Sequence, residues 1–580
     1  VQSQTGIPYA LIDGRFANTA AALKLAGDMV GRQARAAELI DYVDRTFSGT
    51  DQLLARVPAA RSLRRMKSRL SLGRVRAQAE EGTLLGVEPP NKDGASRREL
   101  ANPELFSPRS LPNDEHAAAA ATFLSFEQYM DAALHDVRFG YYARGVQIGK
   151  AGHFDTHPEE HSPDYGRWLA AWAFKAWTDL IAQGELSEAE PFPIVEFGAG
   201  NGRLARDFLD AVSSARARWP TFAARVQYRI YEISAALRDK QRALLGQDAQ
   251  IVEGDARRPA AALERDFPGG LRGLVLSNEL PDAFGVHKLW LSAEGHARVA
   301  LVLPRVEPAL RDALDQALAQ RIDAANAAAR SSFTLPANAG DLYLDAATFK
   351  DVMSALAELP DERLDQVWFE EAYVAAAVVP ELAQHLRANA AQYALALAAE
   401  DSGVLVYVNL HASRFIAELG ASLAAGFIVT LDYGDTTWNL LHGARRGEFP
   451  FRVYGHWQDY LPRPNDPYSA PGTQDLTADV NFTDLSRAAE AAGLRVVHFG
   501  PERDVCGDFL PELLRACAER EALQKLIGNP LFKVLVLGRR TSDAFHSALA
   551  SPLALAAQER DVPKARRHAI AAIERALAAT

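Results

Sequence analysis

Cysteine is nearly absent from this chain: 580 residues contain two, Cys506 and Cys517. Two thiols do not make a disulfide scaffold, and a reducing compartment suits them. No H-E-x-x-H run and no paired C-x-x-C units occur, so the familiar zinc motifs are missing and no metal is expected. No apolar run reaches the length of a transmembrane span. The first residues lack the basic and apolar regions of a signal peptide. Positive charge is in deficit, with 63 Lys+Arg against 74 Asp+Glu and a net charge of -11. That balance discourages nonspecific nucleic-acid binding. The expectation is a soluble intracellular protein with no nucleic-acid partner and no membrane insertion.

What is present is globular in composition, 48% hydrophobic and 24% charged. The chain is long for one core, so several domains, or one domain with large insertions, are expected. Residues 1–120 read as a helical accessory region. A basic run at 56–76 fits either a solvated amphipathic helix or a docking surface for an acidic partner. Prolines at 89, 90, 103, 108 and 112 mark 88–115 as a linker or extended wrap.

From 190 to 300 the pattern is α/β. Strands are expected at 194–197, 226–233, 249–253 and 271–277, separated by helices. Near-continuous apolar strands alternating with helices imply a parallel sheet covered on both faces. Lid and first core segment then occupy 121–304. Alanine-rich sequence at 305–405 reads as a helical insertion. The core resumes over 406–540 with a helix at 412–424, a strand at 427–431, and a terminal antiparallel hairpin from 494–499 and 532–537. Residues 541–580 read as a helical tail. The fold class is Rossmann-like α/β.

Strand 194–197 ends in Glu196 and runs into Gly198-Ala199-Gly200-Asn201-Gly202. Glycine carries no Cβ, so backbone can approach a cofactor closely there. The carboxylate of Glu196 disfavours a pyrophosphate and favours a cationic or hydroxyl-bearing ligand. S-adenosylmethionine offers both. Glu232, ending the second strand, is placed to accept the ribose hydroxyls, although a nicotinamide enzyme would use an acid there too. Asp255, after the third strand, could accept from the adenine amino group, and Asn278 closes the fourth. Helix capping or loop charge is the competing reading for these acids.

Glu279 and Asp282 follow the fourth strand and should face the methyl group. Two acids three apart suit a guanidinium, whose donors form a rigid fork. Glu279 is expected to position the acceptor with Asp282 as helper; the alternative is an N-cap at Asn278 or Asp282. A second polar cluster, residues 126–169, reads as a lid in which His153 and His157 are expected to be exposed loop residues with a tuning role.

Several separate blocks together resemble the MidA family of S-adenosylmethionine-dependent methyltransferases, over roughly residues 125–540. They are the glycine turn, residues 278–286, Asp432-Tyr433-Gly434, and residues 472–480 with Phe482. The resemblance implies a class I methyltransferase fold with S-adenosyl-L-methionine held by Gly198, Gly200, Glu232 and Asp255. It places Glu279 and Asp282 by the acceptor. Through the family's mitochondrial member it implies protein-arginine N-methylation. A small-molecule methyltransferase and a noncatalytic cofactor-binding assembly protein remain the alternatives. Arg, Ala and Leu usage points to a bacterial chain, expected in the cytoplasm; the resemblance implies a protein substrate, and homodimer formation stays open.

Overall fold

The computed structural model describes residues 111–144, 146, 148, 156–160, 162–291, 296–335, 340–359, 364–397, 404–441, 450–454, 466–501 and 532–542. The expected accessory helices, basic run, His153, both cysteines and nearly all of the tail lie outside them.

Along the chain, α1 (Phe126–His135) opens with a capping box in which Ser125 and Gln128 exchange side-chain and main-chain hydrogen bonds. There follow α2 (Asp164–Ala182), β1 (Phe192–Phe197), α3 (Arg203–Ser214), β2 (Val226–Glu232), α4 (Ala235–Leu245), β3 (Ala249–Glu253), α5 (Pro259–Asp266) and β4 (Leu271–Asn278). Next come β5 (His287–Leu291), β6 (Ala297–Val306), α6 (Gln316–Ser332), α7 (Ala346–Ala357), β7 (Val367–Ala375) and β8 (Val404–Val408). The chain closes with α8 (Leu410–Ser422), β9 (Leu423–Asp435), β10 (Phe451–Tyr454), β11 (Asp475–Ala478), α9 (Phe482–Ala491), β12 (Arg495–Pro501) and β13 (Phe532–Arg539).

The main sheet has the order β12-β13-β9-β4-β1-β2-β3. β3, β2, β1, β4 and β9 are parallel. β13 and β12 run antiparallel at the far edge, forming the expected terminal pair. All six residues of β1 are buried, as a strand covered on both faces requires. One face packs against Tyr165, Trp168 and Trp172 of α2, and the other against Phe415 and Ile416 of α8. The strand order reverses between β1 and β4. Open parallel sheets bind ligands at that switch point, beyond the carboxyl ends of the strands.

The expected helical insertion differs from what is found. Residues 305–405 include α6 and α7 but also β7, which pairs with β6 from Val306↔Val367 to Arg298↔Ala375. β5 and β8 pair antiparallel, His287 opposite Val408, so the inserted unit begins before 305 and is closed by a sheet. The acids Glu370 and Glu371 interrupt the apolar pattern of β7 and hide it. Glu371 is neutralised by Lys288 across the sheet, with Nζ 2.7 and 2.8 Å from the two carboxylate oxygens. Among the described residues no helix is long and apolar enough to cross a membrane.

Candidate active site

A cavity of about 390 Å³ opens at the switch point, within the size range of small-molecule and cofactor pockets. Its first wall is the glycine turn. Gly198 and Gly200 have φ of +67° and +55°, and a Cβ on Gly198 would stand 2.6 Å from Leu280 Cδ1. The cradle is therefore shaped for bare backbone at positive φ. Gly202, at φ +88°, turns the chain into α3.

Glu196 and Glu232 line the same cavity. Glu196 Oε2 accepts from Tyr228 Oη over 2.8 Å. Burial pushes the Glu196 carboxyl up to about 7, against that hydrogen bond and with help from the Glu232 charge. Glu232 ends β2, where Oε1 accepts the main-chain N–H of Ser234 over 2.9 Å. Burial raises its pKa as well. Asp255 also lines the cavity, but Arg257 grips both its oxygens, at 2.9 and 3.0 Å. Burial pushes Asp255 up, yet the guanidinium outweighs it and leaves the carboxyl below its ordinary range. What Asp255 presents to an adenine is a carboxylate already paired with a cation.

Asn278 is the last residue of β4, not a helix cap; its Oδ1 accepts from Tyr165 Oη over 2.8 Å. Glu279 follows at φ +46°, unusual for a residue with a Cβ. Its main-chain N–H donates to Leu431 O over 2.9 Å, which pins the turn to β9. Glu279 Oε1 accepts from His157 N over 2.7 Å and from Asn278 Nδ2 over 3.1 Å. Burial, then the nearby Asp282 charge, push this carboxyl up to about 7. Asp282 is buried and its N–H donates to Asp432 Oδ2 over 3.2 Å. Its pKa is raised to about 6 by burial, with Arg452 pulling the other way.

The structure brings all eight expected site residues to this cavity's wall. It adds Asp475, whose Oδ1 accepts from Tyr142 Oη over 3.1 Å, and places fully buried Asp432 behind Asp282. Both belong to blocks that the sequence singles out without a role for either acid. His157 corrects an expectation. It is buried, not exposed, because its ring stacks on Phe532 with centroids 4.2 Å apart. Beside it Glu159 accepts from Asn201 of the glycine turn, and Ser162 Oγ lies 2.8 Å from Arg203 Nε.

A doubly wound sheet with a glycine cradle, an acid at the second strand end and carboxyls beyond the fourth defines a nucleoside-cofactor enzyme. The chain belongs to the family described as "Putative S-adenosyl-L-methionine-dependent methyltransferase", whose model matches residues 168–500. It is similar to the mouse protein arginine methyltransferase NDUFAF7, mitochondrial, at 25% identity over 444 residues, 73% of this chain and 80% of that protein. The Drosophila melanogaster homolog is 29% identical over 178 residues, 28% of this chain and 38% of its own. Among solved structures, a COG1565 superfamily member from Burkholderia thailandensis bound to S-adenosyl-homocysteine is 22% identical, covering 80% of this chain and 97% of that one, with a TM-score of 0.47.

The protein is thus an S-adenosylmethionine-dependent methyltransferase. Its residues fit that cofactor. The turn excludes side chains where backbone must approach, and Glu232 supplies a buried acceptor for hydroxyls.

Proposed function

We propose that this enzyme methylates arginine side chains of a protein. The observation that carries the reading is the gathering of Glu279, Asp282 and Asp475 in the lining of the cavity that the glycine turn also borders. Carboxylates in such a cluster raise one another's pKa, and a guanidinium relieves that repulsion while its planar fork pairs with two oxygens. Tyr433 lends an aromatic face to the same wall, and that face already carries a guanidinium: Arg452 Cζ lies 5.1 Å from its ring centroid. The relatives' names point the same way.

Bound S-adenosylmethionine supplies an electrophilic methyl group on a sulfonium. The chain's own residues do the rest. Glu279, fixed by His157 N–H and Asn278, orients the acceptor, and Asp282 adds negative charge beside it. Thr156 and Pro158 belong to the cavity's lining.

Incubation with methyl-labelled S-adenosylmethionine and matched cell extract should label a protein band, and hydrolysis should yield methylated arginine. Absence of any labelled protein, with cofactor binding verified, sinks the proposal.

A further inference from the structure

We propose that Asp475 is a further catalytic residue of this site: its carboxylate takes the proton that leaves the acceptor nitrogen as that nitrogen is methylated. The assignment rests on the arginine reading above. Asp475 opens β11, whose antiparallel pairing sets it opposite Tyr454 and sets Thr477 opposite Arg452. All four line the cavity. Residues two apart on a strand share a face, so this strand turns Asp475 and Thr477 toward the space that Glu279 and Asp282 border.

Asp475 is 6% exposed, and its orientation is fixed by a residue distant in the sequence that lines the same cavity. Tyr142 Oη donates to it over 3.1 Å. The Tyr142 ring stacks on His135 with centroids 5.4 Å apart, and its main-chain O accepts from Ser234 Oγ over 3.2 Å. Burial and the Asp282 charge push the Asp475 carboxyl up to about 7. A group poised there can accept a proton and return it near neutral pH. Two of the neighbouring acids carry other bonds. Glu279 Oε1 holds two donors, while Asp432 accepts the main-chain N–H groups of Asp282 and Tyr433 and does not reach the cavity wall.

Charge balance requires that a proton leave the acceptor. Arginine enters protonated, so a methyl gained at nitrogen would leave two positive charges if no proton departed. A nitrogen electron pair forms the N–CH3 bond, and the methyl–sulfur bond breaks with its pair remaining on sulfur. The N–H proton passes to an Asp475 oxygen and its bonding pair returns to nitrogen. The product leaves as a singly charged methylguanidinium, and Asp475 gives its proton to water.

Asp475→Asn keeps the shape and removes the base. S-adenosylhomocysteine binding, measured by calorimetry, should be unchanged, whereas labelled transfer into cell extract should fall by ~100-fold or more. Tyr142→Phe should transfer more slowly at neutral pH and recover as pH rises, because Asp475 loses a hydrogen bond that favours its ionised form. In protein labelled with 13C at aspartate carboxyls and loaded with S-adenosylhomocysteine, a resonance titrating at about 7 should vanish in Asp475→Asn. Transfer at the wild-type rate, the same carboxyl titrations in both proteins, or loss of S-adenosylhomocysteine binding would each overturn the assignment. Hydrolysis of the wild-type product keeps the two readings apart: label on a residue other than arginine removes the arginine reading, while the ratio of transfer rates still judges Asp475.

Discussion

His157 and Glu279 lie 122 residues apart and meet through one hydrogen bond, in which the main-chain N–H of His157 donates to Glu279 Oε1 over 2.7 Å. Glu159 and Ser162, from the same short stretch, hold Asn201 and Arg203 beside the glycine turn. One piece of chain therefore fastens the glycine turn and Glu279 together. One of the two bonds that orient Glu279 comes from backbone, and a side-chain substitution at His157 leaves it in place.

Replacing Glu279 with Gln removes charge and retains shape. S-adenosylhomocysteine affinity should persist while methyl transfer falls by ~100-fold, the scale for losing one preorganised electrostatic contact. Single-turnover assays with label would check it, and unchanged transfer would take Glu279 out of the mechanism. Glu279→Gly separates strain from chemistry. At φ +46° a residue with a Cβ is strained by about 1 kcal/mol, so the glycine variant should lose transfer without a lower thermal midpoint.

Gly198→Ala places a methyl group at φ +67° against Leu280. Backbone strain alone should cost about 1–2 kcal/mol in urea denaturation. S-adenosylhomocysteine affinity should fall by more than stability does, because the methyl also narrows the cradle. Calorimetry on the folded variant gives the comparison.

The Lys288–Glu371 pair is held further by Tyr468 and Tyr373 hydroxyls at 2.6 and 3.1 Å. Lys288→Met strips the cation from a buried carboxylate and should destabilise the protein by about 3 kcal/mol. Combining it with Glu371→Gln should recover part of that loss in the same urea experiment. Full additivity of the two substitutions would mean that the pair does not act as a unit.

Glu279 and Asp475 are raised to about 7 and Asp282 to about 6. Between their ordinary values and these, the native state binds protons that the unfolded chain has released. Stability from this cluster is therefore greatest at low pH and is lost as pH rises through 6 and 7. Urea midpoints at pH 5 and pH 8 should differ more in the wild type than in a variant carrying Glu279→Gln, Asp282→Asn and Asp475→Asn. Equal differences would show that these carboxyls titrate normally. Transfer follows the opposite trend and rises with pH over this range, because ionised carboxylates receive the acceptor.

β1 and β4 are legible along the chain as apolar runs ended by a polar residue or turn, β2 and β3 as mixed runs that end in an acid, and the reading of β3 matches its observed bounds, Ala249–Glu253. β9 extends well beyond the expected 427–431, since pairing with both β4 and β13 recruits flanking residues that carry no strong local signal. β7 is illegible for a different reason. Its central Glu370 and Glu371 read as helix-surface residues until Arg305 and Lys288 stand across from them.

What the order of residues determines by itself is the local chemistry: apolar strands of the right length, glycines where a turn needs positive φ, and acids at strand ends. Periodicity and steric freedom are properties of short stretches, so they survive without knowledge of the fold. Which carboxyls share one cavity is a tertiary outcome. Asp475 joins Glu279 and Asp282 at one cavity only because β11, paired with β10, comes beside the turn after β4, and its pKa of about 7 arises from burial and the Asp282 charge. Desolvation and Coulomb repulsion act through space between groups far apart in the chain, and no local pattern records them.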